Sequence, residues 1–114
     1  MAWCGRLRDT NVFVDIEGAS GSVYRFRRVD GPRRLPATAG NFLFLRTAGE
    51  RADLVCCGRA DSLIRTAEIW RSVAEEHEAK ALFVRLNVSR DVRTSEHEDI
   101  VELQKPTVVV TELD

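Results

Sequence analysis

Gly40-Asn-Phe-Leu-Phe-Leu-Arg46 and, after a polar turn, Leu54-Val-Cys-Cys-Gly58-Arg-Ala-Asp-Ser-Leu63 are the stretch of sequence on which the fold turns. Each opens on a run of apolar residues too short for a helix, with Gly40 heading the first and Gly58 closing the second. Unbroken apolar character, without polar alternation, marks strands covered on both faces. The intervening residues 47–51, which include Gly49, make the two runs neighbours. Beyond Gly58 the period changes. Leu63, Ala67, Trp70 and Ala74 fall on one helical face, with Asp61 or Ser62 placed to cap its start. Two doubly covered strands running directly into an amphipathic helix predict a sheet with a helix laid on it.

Outward from this centre the pattern continues. Upstream, Val12, Val14 and Ile16 alternate with Phe13 and Asp15, and residues 18–21 are turn chemistry. SVYRFRRV then returns as the second strand of a hairpin, with Val23, Arg25 and Arg27 on one face and Tyr24, Phe26 and Arg28 on the other. Pro32, Pro36 and Gly31 predict a wandering loop over 30–39. Downstream, Ala81–Asn87 has strand character. A helix over about 92–104 should carry Ile100, Val101 and Leu103 inward and end before Pro106, and TVVVTEL is a closing strand or an extended tail. The order predicts an α+β domain, a mixed β-sheet with an N-terminal hairpin and helices packed on it. Expected strands are 11–17, 23–29, 40–46, 53–57 and 81–86, with helices at 61–76 and 92–104. Phe44, Val55, Leu63, Ala67, Trp70, Phe83, Ile100 and Leu103 should be buried together.

Composition fits one domain, 1–114, of 114 residues, 44% hydrophobic and 31% charged. No apolar run reaches the roughly 18 residues a membrane span needs, and MAWCGRLRDT lacks the apolar core of a signal peptide. No membrane association and a cytoplasmic location are expected. Cys4, Cys56 and Cys57 are odd in number and two are adjacent, a poor disulfide framework. They read as reduced packing thiols, with redox or metal use as the alternative. In a strand Cys56 and Cys57 face opposite ways. The formal charge is −1, but residues 1–50 hold eight arginines against five acids, and 51–114 hold nine basic residues against thirteen acids. Arg25, Arg27, Arg28, Arg33 and Arg34 form a candidate basic patch suited to phosphate, or else a solvated strand face and loop. A pI near 6.1 argues against strong non-specific nucleic-acid binding. No GxSxG, P-loop, HExxH or dinucleotide fingerprint is present.

The runs Gly40–Phe42 and Cys56–Gly58, the continuation Gly58-Arg59-Ala60-Asp61-Ser62-Leu63, and Asp99-Ile100-Val101 with Pro106 resemble, in order and spacing, the motifs of the GIY-YIG nuclease superfamily. The resemblance covers 40–109, and the hairpin at 11–29 resembles an extension of small bacterial members. It implies a phosphodiester-cleaving ancestry with one divalent metal. The family's chemical positions, however, fall on Phe42, Cys56, Thr66, His97 and Val109, where tyrosine, tyrosine, arginine, glutamate and asparagine are expected. The implied function is a catalytically degenerate, macromolecule-binding module, for nucleic acid or protein, with no cofactor. The alternative is an active endonuclease with a relocated site, using Mg²⁺ or Mn²⁺ held by His97, Glu96 or Glu98. Gly58, Arg59, Arg65, Trp70 and His97 are the binding candidates, expected to open onto one concave surface, with Arg59 foremost.

Overall fold

The computed structural model describes residues 5–7, 12–48 and 51–113. Its centre is the pair expected from the glycine-bounded runs, β4 (Gly40–Ala48) antiparallel to β5 (Arg51–Ala60). On the other side of β4 lies antiparallel β6 (Ala81–Leu86), which in turn pairs with β3 (Val23–Val29) of the hairpin. β2 (Phe13–Glu17) pairs with β3, and the short β1 (Gly5–Leu7) pairs with β2 and also with the start of β5. The sheet therefore curls until it closes on itself. β7 (Val108–Leu113) lies beside the second half of β5 as its parallel partner. The architecture is α+β, a mixed curled sheet with two helices packed on it.

Strand alternation divides the apolar residues between two cores. On the inner, concave face, Val14, Ile16, Phe26, Leu43, Leu45, Leu54, Cys57 and Phe83 meet Ile100 and Val101 of helix α2 (Arg90–Gln104). On the outer face, Phe42, Phe44, Val55, Cys56, Leu63, Leu82 and Val84 meet Ala67, Ile69, Trp70, Val73 and Ala74, all on helix α1 (Ala67–His77). Cys56 and Cys57 thus face opposite ways, both buried and unbridged. Val55 is the extra residue of a bulge opposite Phe44 and Leu45, which places Val55 and Cys56 on the same outer side.

Several expectations need correction. The eight residues expected in one core are split between two, with Phe83 and Ile100 inner and Phe44, Val55, Leu63, Ala67 and Trp70 outer. Leu103 is 46% exposed, because α2 turns Ile100 and Val101 to the sheet instead. The helix after Gly58 begins as a 3-10 turn, Leu63–Thr66, and neither it nor α1 has a side-chain cap. α2 starts at Arg90 and is capped by Ser89, whose Oγ accepts from Val92 N. Both helices end on left-handed non-glycine residues, Glu78 and Lys105. Residue 11 of the expected first strand, Cys4, and Gly49 of the expected turn lie outside the described residues. Neither α1 nor α2 is long and apolar enough to cross a membrane.

Candidate functional site

Among the described residues, two places gather charged side chains: a polar seam beneath α2 on the inner face, and an arginine-lined trough on the outer face. The seam forms because α2 buries Arg93, His97 and Ile100, residues at helical steps of four and three. Arg93 and His97 are each only 2% exposed. Arg93 Nη1 donates to Val88 O at 3.0 Å, and its Nη2 lies 3.2 Å from Glu112 Oε2 and 3.4 Å from Asp61 Oδ1. Arg59, on β5, reaches the other oxygen of the Glu112 carboxylate. Buried Asn41 donates to Arg93 O at 2.9 Å and accepts from Asn87, which also donates to Glu96. Glu96 is held in turn by Arg85 at 2.8 Å.

His97 Nδ1 lies 3.7 Å from Cys57 Sγ. Burial, and then the nearby Arg59 charge, lower the His97 pKa, against smaller opposing effects of Glu98 and Glu112. Burial also raises the Cys57 pKa, aided by Cys56, and pushes that of Cys56 up to about 12. A neutral ring facing a protonated thiol is the reverse of the thiolate–imidazolium pair that makes cysteine nucleophilic.

The residues that the family resemblance singles out do not gather. Phe42 and Cys56 are wholly buried on the outer side, and buried Thr66 ends the 3-10 turn that leads into α1, whereas His97 lies on the inner side. Val109 is 42% exposed on β7. Gly58 lies beneath Phe42, whose ring occupies the space a Cβ would take. Arg65 is exposed on the 3-10 turn, and Trp70 is half-buried edge-on against Phe44 at 4.9 Å. Of the binding candidates, Arg59 and His97 come together, but in a buried seam and not on an open concave surface. Glu96 is committed to Arg85 and Asn87, and Glu98 is exposed. No group of three or more His, Cys, Asp or Glu among the described residues is arranged to hold a metal. The seam's main cation, Arg93, escaped the sequence reading. The signal was its place in the stripe Arg93, His97, Ile100.

The trough is where the basic patch lands. A cavity of about 650 Å³ is lined by residues from β2, β3, β6 and the loop after β3, among them Arg25, Arg27, Arg28 and Arg34. Phe13, Val84 and Leu86 give it an apolar floor, and Asp30 is an acid on its wall. Arg25 is held to Asp15 at 3.0 Å and its guanidinium lies 5.2 Å from the Phe13 ring centroid. Arg27 and Arg34 make no ion pair or side-chain hydrogen bond among the described residues. Arg85 lines the trough too, but its guanidinium engages Glu96 and lies over Tyr24. Arg33 is exposed and lies off the lining. Compared with known proteins, the chain matches no family model, no curated protein and no solved structure.

Proposed function

We propose that this domain binds nucleic acid, without cutting it, along the outer trough. The observation that carries the reading is the pair Arg27 and Arg34, cations with no ion-pair or side-chain hydrogen-bond partner among the described residues, beside an apolar floor that includes Phe13. Unpaired guanidinium forks are donors for phosphate oxygens, and an aromatic face beside them accepts a base by stacking. The GIY-YIG resemblance belongs to this reading as ancestry, supported by the chain order β4, β5, α1, β6, α2. Silence is the chemistry proposed, because the five family positions lie on different sides of the sheet or at its edge. Incubation of single- and double-stranded DNA and RNA with the protein and Mg²⁺ or Mn²⁺ should leave them intact. Cleavage abolished by replacing His97 would restore the nuclease alternative.

The binding test is a titration of labelled single-stranded oligonucleotides at two salt concentrations. Affinity should fall with salt, and Arg27→Ala and Arg34→Ala should each weaken it and reduce the salt slope by roughly one phosphate contact. No binding at low salt would remove the nucleic-acid reading. A protein partner would then be favoured, and β7, whose only strand partner among the described residues is β5, is the edge such a partner could extend.

A further inference from the structure

The two arginines of the inner seam hold more donors than their surroundings use. Arg93 Nε and Arg59 Nε are both buried without a partner among the described residues. Arg93 is 2% exposed, and the Arg59 side chain is 14% exposed. An ionised donor left unpaired in a dry site is costly. The Glu112 carboxylate offers two oxygens, and each is already taken, one by Arg59 and one by Arg93. A tetrahedral oxyanion offers three or four and matches a pair of guanidinium forks more fully.

Glu112 arrives on a strand paired on one side only among the described residues. β7 pairs with β5 alone among the described residues, and it follows the left-handed C-cap Lys105 of α2 and Pro106. Its apolar residues Val108, Val110 and Leu113 are only partly buried. A strand held on one side opens at lower cost than a central one. We infer that Arg59 and Arg93 form a binding site for a tetrahedral oxyanion, a phosphate or phosphoryl group, that Glu112 fills from within the chain. The C-terminal strand is then a removable plug. This site lies on the opposite side of the sheet from the trough and does not depend on it.

The test uses the full chain with Glu112→Ala and inorganic phosphate, against chloride at matched ionic strength. Phosphate should raise the melting temperature of the variant, by about 5 °C near tenfold excess over its dissociation constant and onward with the logarithm of its concentration. The wild type, and the variant carrying Arg59→Ala as well, should show no such rise, whereas adding Arg27→Ala should leave it intact. Absence of the rise, or its persistence without Arg59, overturns the proposal. Acetate, a planar anion, should act more weakly than phosphate, and an equal effect overturns the tetrahedral assignment. A nucleoside 5′-monophosphate separates the sources. Tighter binding than phosphate supports the site as one for a phosphoryl group on a larger ligand, and equal binding supports it as one for free phosphate. If Glu112→Ala does not fold, hydrogen exchange on the wild type decides. Phosphate should speed exchange of the Val108–Leu113 amides relative to chloride and leave those of α1 unchanged, and equal rates overturn the plug.

Discussion

A Cβ built on Gly58 would sit 2.2 Å from the tip of the Phe42 ring, its cross-strand partner. The glycine is needed because the ring lies across it. Gly58→Ala should cost about 1–3 kcal/mol in denaturant unfolding, as overpacking does, and Phe42→Leu in the same chain should recover part of that loss. A full loss that Phe42→Leu leaves untouched would place the cost in the backbone. His97 makes a second residue-scale prediction. Its lowered pKa means the folded state prefers the neutral ring. The contribution is fully present above the ordinary value of 6.5 and is lost as pH falls through the folded value. Unfolding midpoints measured from pH 7.5 down to 5 should decline, and His97→Gln should flatten that decline. The burial of His97 was hard to read because Glu96 and Glu98 flank it, and neighbours in sequence say little about a helical face. Its partners three and four residues away, Ile100 and Arg93, carried the information.

Among the elements, α2 ties together parts of the chain distant in sequence. Its Asp99 accepts from Ser20 N at 2.8 Å, Ser20 Oγ at 2.7 Å and Tyr24 Oη at 2.7 Å, docking the hairpin turn. Asp99→Ala should speed exchange of the Ser20 amide while leaving the β4–β5 amides protected, and unchanged Ser20 exchange would show that the turn holds itself. Beneath the other helix, Leu63 is fully buried, so Leu63→Ala should lower unfolding free energy by about 2–5 kcal/mol. β4, β5, β6 and both helices were legible because long apolar runs and helical steps are strong local signals. β1 was not, since three residues give no period, and β7 was ambiguous as strand or tail. Its parallel pairing with β5 is decided by packing of Val108, Val110 and Leu113, which no local pattern encodes. The candidate site was legible in part. Arg25, Arg27, Arg28 and Arg34 line one trough, Arg33 lies off it, and Arg59 proved to be an internal partner of Glu112.

For the molecule as a whole, the sheet is a wall between two cores, and its adjacent thiols report on one each. Cys56 faces the α1 side and Cys57 the α2 side, both wholly buried. In a Cys4→Ser background, thiol labelling of Cys56 and Cys57 should proceed at one shared rate if the cores open together. Faster labelling of Cys56 would mean that α1 detaches while the inner core persists. The doubly covered centre has a further consequence, for errors in threading. A strand with one wet face is corrected by water, because a slip of one residue exposes its apolar set. β4 and β5 have little such protection, since a slip trades one buried apolar row for another. Discrimination falls to shape. A shifted β5 would push the side chain of Cys57 or Arg59 into the Phe42 ring, and it would misplace the bulge at Val55. The glycine and the ring are a key and its slot, and the chain rejects a misthreaded centre by steric fit where solubility could not.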